Sequence, residues 1–486
     1  MLRLLAFDYG ATSGRGMIAE YDGDKLRFGE DYRFANNPCF IGKGFYWDFP
    51  ALFQELKTGI QKLSKDQLPD CMGIDTWGVD YGLLDRSGEL LGLPYHYRDE
   101  RTDEIMEQVF QVIPKFDLYA ATGIQFMQFN TIFQLVAQMQ ERPWMLEQAE
   151  QMLFTPDLLN YFLTGKAATE FSIASTGQML NPFTRNWAFD VLEKLQIPKR
   201  LLGEIVEPGT LLGGLSAPIM RELNVGSIPV AIVGGHDTAS AVAAVPATSE
   251  NYAYLSCGTW SLMGIETKEP IVNQTSFDMN YTNEGGLDGT CRVLKNIMGL
   301  WILTECMRSY EKEGFKPSYD EMEQLILDAK PFLCFIDPDD TRFIKPGGMP
   351  KKIADFCRET GQYVPQTKAE ILRCVKESLA LKYRYALEGL EKLKGAKIDV
   401  LNMVGGGCRS ISTCLFTANA IGRPVIAGPA EGTAIGNLMA QLIAKGEVKG
   451  LAEARQVLLR TVETETYLPQ DGAAWDAAYE TFLHYL

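Results

Sequence analysis

Val233-Gly234-Gly235-His236-Asp237-Thr238-Ala239-Ser240-Ala241-Val242 lies close to the midpoint of a 486-residue chain. Immediately before it, Ile228-Pro-Val-Ala-Ile-Val233 is a short, apolar, β-branched run that predicts a buried strand. Behind it, Ala-Ser-Ala-Val-Ala-Ala suits a closely packed helix, because small side chains let neighbouring backbone approach. Two glycines, a histidine and an aspartate occupy the turn between them. Two readings of Asp237 are open at this point. It is a general base, if the turn borders a water-poor site, or its carboxylate caps the helix that follows. Either way, strand-turn-helix at the centre of the chain predicts an α/β protein if the flanking sequence alternates in the same manner.

It does. Towards the N-terminus, residues 2–7 read as a strand, then Asp8-Tyr-Gly10-Ala11-Thr12-Ser13-Gly14-Arg15-Gly16 as a polar glycine turn, then residues 17–21 as a second strand, together a hairpin. Glycine-exposed amides with Thr and Ser hydroxyls form a seat for phosphate oxygens, and Asp8 at the strand end suits Mg²⁺ held through water. The same residues also make an ordinary self-capping turn. Residues 49–63 carry apolar side chains at helical spacing. Cys71-Met-Gly-Ile-Asp75-Thr76-Trp77-Gly78-Val79-Asp80-Tyr81 predicts a second hairpin around an acidic glycine turn, with Gly78 letting backbone approach a sugar and Asp80 accepting hydroxyl hydrogens. A buried tryptophan in a plain hairpin is the competing reading. Residues 105–163 are largely helical by pattern.

Pro246 marks the expected boundary between an N-terminal domain, 1–245, and a C-terminal domain, 246–486. Beyond it, Ala253-Tyr-Leu-Ser-Cys-Gly258-Thr259-Trp260-Ser261 repeats the local logic of the opening hairpin, which suggests a duplicated fold with a cleft between the copies. Residues 292–311 read as one helix containing Asn296, and residues 369–393 as a long helix. A strand at 399–404 runs into Gly405-Gly406-Gly407-Cys408, bare backbone on which a flat ring or a phosphate can lie. The spacing fits neither the dinucleotide fingerprint nor a P-loop.

Composition narrows the partners. A formal net charge of -16 argues against a nucleic-acid or anionic-membrane surface. There is no run of 18 apolar residues to span a membrane. Ten cysteines stand singly in sequence, with no Cys-x-x-Cys pair, so reduced thiols in the cytoplasm are expected and a zinc motif is not. Three histidines in the whole chain leave little for histidine-based metal catalysis. Oligomeric state is not legible.

Taken in order, Phe7-Asp-Tyr-Gly-Ala-Thr-Ser-Gly-Arg15, Gly73-Ile-Asp-Thr-Trp-Gly-Val-Asp80, His236-Asp-Thr-Ala-Ser-Ala241, Leu255-Ser-Cys-Gly-Thr-Trp-Ser261, Val293-Leu-Lys-Asn-Ile-Met-Gly-Leu-Trp301 and Val404-Gly-Gly-Gly-Cys408 resemble the FGGY family of carbohydrate kinases over nearly the whole chain. The resemblance implies two actin-like (ribonuclease H-like) α/β domains flanking a catalytic cleft. It implies Mg²⁺- and ATP-dependent phosphorylation of L-rhamnulose at its 1-hydroxyl. Another ketose or polyol such as L-fuculose or D-xylulose, or a non-catalytic actin-like nucleotide-binding protein, is the alternative. By position it makes Asp237 the catalytic base. It places Ala11, Thr12, Ser13, Gly14, Arg15, Thr259, Asn296 and Gly406 at ATP, and Gly78, His236, Asp237 and Thr238 at the sugar. One departure stands out: Thr304 occupies a place where relatives often present a longer glutamine to ATP.

Overall fold

In a computed structural model describing residues 1–486, the chain forms two compact α/β units. Unit 1 comprises Met1–Ala244, Glu266–Val293 and Gly432–Val462; unit 2 comprises Val245–Ile265, Leu294–Glu431 and Glu463–Leu486. The first crossing falls at Ala244, beside the expected boundary at 245, but the chain then returns to unit 1 twice. The second return has a clear cause. Helix Gly432–Ala444 is apolar on nearly every face and packs against the central helix Asp237–Ala243. A Cβ on Gly436 would fall 1.7 Å from the Ser240 carbonyl oxygen, so only glycine permits this approach.

Unit 1 is built on a six-stranded sheet in the order Thr210–Gly214, Pro229–Ile232, Cys71–Thr76, Leu2–Tyr9, Ser13–Tyr21, Leu26–Ala35. Its three central strands are parallel and buried, matching their continuous apolar character. Leu2–Tyr9 and Ser13–Tyr21 form the expected antiparallel hairpin, with the open turn reduced to residues 10–12. Helix Phe49–Leu63 starts at Asp48, whose carboxylate accepts from Ala51 N at 3.1 Å, and buries Leu52, Leu56 and Ile60.

The predicted hairpin at 71–85 is corrected. Cys71–Thr76 belongs to the main sheet, whereas Tyr81–Leu84 pairs with Gln151–Phe154 in a separate two-stranded sheet. The chain turns sharply between them: Val79 takes φ +68°, and the buried Asp80 carboxylate accepts from Trp47 Nε1 (2.6 Å), Trp77 Nε1 (3.0 Å), Gln134 Nε2 (2.9 Å) and Tyr97 N (3.2 Å). Those donors come from four places in the chain, so local pattern could not report the turn.

A second sheet has seven strands. Tyr252–Cys257 and Trp260–Thr267 form an antiparallel hairpin, Tyr252–Cys257 runs parallel to Val400–Val404, and Val425–Ala427 and Glu465–Tyr467 extend the far side. Residues 292–311 are not one helix: Cys291–Met298 is a strand beside Trp260–Thr267, and only Trp301–Lys312 is helical. The apolar spacing suits a helix, but the strand is buried on both faces, which erases its alternation. Gly299 ends it where a Cβ would lie 2.6 Å from the Trp260 carbonyl carbon. Helix Lys368–Lys394 extends the predicted 369–393 by one residue at each end and opens with a capping box of Thr367 and Glu370.

Candidate active site

Parallel pairing of Cys71–Thr76 with its neighbours assembles the acidic centre of unit 1. Asp8 and Asp75 are register partners, and Thr76 N donates to Gly235 O at 2.9 Å. Asp75 is fully buried; Asn437 Nδ2 donates to its Oδ2 at 2.6 Å, while its Oδ1 has no hydrogen-bond donor. Burial, then the nearby Asp8 charge, raises its pKa well above the usual carboxylate range, with Asp237 adding to the rise. Arg15 Nη2 pairs with Asp8 Oδ2 at 3.1 Å. Ala11, Thr12 and Ser13 form the accessible tip of the hairpin, whereas Gly14 and Arg15 are buried behind it.

Asp237 is the first residue of helix Asp237–Ala243, and His236 holds the cap position without a side-chain capping bond. The Asp237 side chain keeps 31% of its exposure, and Thr238 Oγ1 donates to its Oδ1 at 3.1 Å. Partial burial raises its pKa above 3.8, opposed first by His236. Water access limits that rise but leaves the direction towards a stronger base.

Residues outside the motif fix this turn. Glu170 Oε2 accepts from Gly235 N at 3.0 Å, and the same carboxylate accepts from Ser172 N and Ile173 N at 2.7 and 2.9 Å. His236 Nδ1 lies 3.2 Å from Glu284 Oε2 and 3.2 Å from Arg292 Nη2, and its Nε2 lies 3.4 Å from Asp237 Oδ1. Nδ1 thus faces an acceptor in Glu284 and a donor in Arg292, and the ring tautomer answers one or the other. Arg292 also donates through Nε to Gly285 O at 2.7 Å. Glu170, Glu284, Arg292 and Asn437 carry no motif signal, and Arg292 falls in the stretch expected to be helical; Asp75 stands in the acidic glycine stretch, whose sequence assigns it no role.

Gly78 packs against Thr176, where a Cβ would lie 3.2 Å from its side chain. Asp80 does not face solvent. Its four donors use both oxygens and fix Trp77 against Trp47, the two rings 3.9 Å apart.

The candidate nucleotide residues of unit 2 sit on its sheet. Thr259 is the turn of the hairpin, and its carbonyl accepts from Trp301 N at 3.2 Å. Asn296 is part-buried on the strand Cys291–Met298. Beside it, burial lowers the Lys295 pKa to about 8, opposed by Asp339. Gly405 takes φ +85°, and the next residue, Gly406, has open space where a Cβ would stand. Ser410 Oγ caps the following helix at Thr413 N and accepts from the buried Lys376 Nζ at 2.7 Å. Thr304 Oγ1 turns back to Leu300 O at 3.0 Å.

Residues 3–244 match the N-terminal domain, and residues 253–445 the C-terminal domain, of the FGGY family of carbohydrate kinases. The chain belongs to this family. It is a sugar kinase, transferring phosphate to an alcohol. It is 44% identical over 478 residues to a rhamnulokinase of Bacteroides thetaiotaomicron, covering 98% of each chain, and 42% identical to one of Pectobacterium atrosepticum, covering 96% of this chain and 93% of the relative. Among solved structures, a gluconate kinase from Lactobacillus acidophilus superposes with a TM-score of 0.82 at 16% identity over 99% of this chain and 97% of that one. A ligand-bound xylulose kinase from the same organism gives 0.82 at 15% over 100% and 97%. These structures share the fold. No helix is long and apolar enough to cross a membrane.

Proposed function

We propose that the chain phosphorylates L-rhamnulose to L-rhamnulose 1-phosphate with ATP, in the cytoplasm and in L-rhamnose catabolism. Near-full-length similarity to rhamnulokinases supports the substrate. The observation carrying the mechanism is the state of Asp237: at a helix start, part-buried, and made more basic by burial. In this reading Asp237 accepts the proton of the sugar 1-hydroxyl as its oxygen attacks the γ-phosphorus and ADP leaves. His236 and Thr238 orient the sugar, one through its imidazole and one through its hydroxyl. Asp80 acts on the sugar through the Trp77 loop that it fixes, with Gly78 lending backbone. In unit 1 the amides and hydroxyls of Ala11, Thr12, Ser13, Gly14 and Arg15 hold phosphate; in unit 2, Thr259, Asn296 and Gly406 take the nucleotide.

Mg²⁺ fits the acidic centre. Asp8 and Asp75 are adjacent, and the undonated Asp75 Oδ1 is an oxygen that a hydrated divalent ion would satisfy. When bound, the ion neutralises phosphate charge. The test is a coupled ATP-consumption assay across L-rhamnulose, L-fuculose, D-xylulose and glycerol. The reading requires the highest kcat/KM on L-rhamnulose; preference for another sugar, or slow turnover independent of sugar, overturns it.

A further inference from the structure

Three cysteines far apart in sequence meet inside unit 2. Cys334 lies on the segment before the short helix at 341–343, Cys357 on helix Met349–Glu359, and Cys374 on helix Lys368–Lys394. Their sulfurs all lie within 4.8 Å of one another, and the residues are 2%, 0% and 3% exposed. We propose that Cys334, Cys357 and Cys374 form a three-thiolate site for a soft divalent d¹⁰ metal ion of the zinc–cadmium class.

Two observations carry this. First, the separation is right. Three sulfurs about 2.3 Å from a common ion stand about 3.8–4.0 Å apart, whether the ion is tetrahedral or planar. The sulfurs, all within 4.8 Å of one another, are at most about 1 Å wider than that spacing. Second, the site is held from outside. On either side of Cys334 the backbone is pinned: Phe332 N donates to Glu377 Oε2 (2.9 Å), Phe335 N to Gln362 Oε1 (2.8 Å), Ile336 N to Ser378 Oγ (3.0 Å). Gln362 returns a bond to Phe335 O at 2.9 Å, and Ser378 Oγ donates to Cys374 O at 2.6 Å. Cys334 is therefore presented to both helices by partners that are themselves fixed, the support a metal site needs.

Charge decides the class of ion. Soft sulfur ligands select Cu(I), Zn(II) and their heavier relatives. Three thiolates around a monovalent ion leave two net negative charges in the interior, and around a divalent ion only one, so burial favours the divalent ion. On binding, three metal–sulfur bonds form, each thiol still protonated releases its proton to solvent, and nothing is oxidised or reduced.

Cd²⁺ is the probe. The full-length reduced protein, titrated without oxygen, should take up one tightly held equivalent, with a thiolate-to-cadmium charge-transfer band and three sulfurs in the X-ray absorption shell. At about 100 times Kd, worth about 2.7 kcal/mol, melting of the 486-residue chain should rise by about 2–3 °C. Cys357→Ser and Cys374→Ser should each bind more than ten-fold more weakly, while Cys39→Ser should bind like the parent. Where a serine variant does not fold, Cys357→Ala serves the same comparison, and the sulfur count on the parent stands without any variant. No tight equivalent, a sulfur number other than three, or undiminished binding in a folded Cys357 variant would overturn the site. So would isolation of the reduced-grown protein with two of these cysteines joined as a disulfide.

Discussion

Arg292→Met tests whether the buried Glu284–Arg292 pair sets the state of His236. Arg292 is completely buried and Glu284 nearly so, their charged atoms 3.2 Å apart. At that distance two unit charges attract by about 5 kcal/mol at an effective dielectric near 20. Removing the guanidinium deletes that attraction and the bond to Gly285 O, and leaves the Glu284 carboxylate buried without its cationic partner. Breaking a buried pair from one side costs about 3–5 kcal/mol. Arg292→Met should therefore lose about that much in chemical denaturation. Glu284→Met should also destabilise, by leaving Arg292 uncompensated. The double variant buries no orphaned charge and should be about 1–3 kcal/mol more stable than the sum of the singles. In kinetics, Arg292→Met should raise the sugar KM about ten-fold, the worth of one hydrogen bond of about 1.4 kcal/mol, and leave the ATP KM nearly unchanged. Additivity within about 0.5 kcal/mol would refute the coupling. A larger effect on the ATP KM than on the sugar KM would refute the assignment of His236 to sugar.

Gly406→Val should raise the ATP KM about ten-fold or more with an unchanged melting temperature, because its Cβ would meet no protein atom and would obstruct only a ligand; an unchanged ATP KM removes Gly406 from the nucleotide site. Glu170→Gln puts an amide N–H where the carboxylate accepted from backbone N–H groups; stability should fall by about 2–4 kcal/mol and kcat by about 100-fold as the Gly235 turn shifts, and unchanged kcat would show that Glu170 does not position the base. Asp80 has its pKa raised from 3.8 to about 6 by burial, its tryptophan and glutamine donors opposing the rise. A raised folded pKa binds the proton more tightly than the unfolded chain, so its share of stability is complete below pH ~4 and is lost as pH rises through about 6. Relative to Asp80→Asn, the parent should lose about 3 kcal/mol across that window, and a constant difference would contradict the buried charge.

Much of this was legible because it is local. Residues 49–63 and 369–393 declare helices by period, and the opening hairpin by its glycine turn. The centre at 228–242 reads correctly because strand, turn and helix follow one another without a distant partner. What failed depends on contacts across the chain. Residues 291–298 look helical because burial on both faces removes strand alternation. Trp77–Asp80 looked like a hairpin turn because the donors that hold Asp80 come from positions 47, 97 and 134. Ten cysteines looked solitary because 334, 357 and 374 lie 23 and 17 residues apart, on three different elements. At the site, motif residues were visible, while the side chains that hold them (Glu170, Glu284, Arg292, Asn437) carry no sequence signal of their own.

The account rests most directly on Asp237→Asn, assayed with L-rhamnulose and ATP alongside melting and ligand-binding measurements. Asparagine keeps the shape of the side chain and an oxygen for Thr238 but cannot take the hydroxyl proton. The base reading predicts a loss of ~10²–10⁴-fold in kcat with near-parental melting temperature and retained binding of both ligands. A folded Asp237→Asn protein that binds sugar and ATP and turns over within a few-fold of the parent would contradict it.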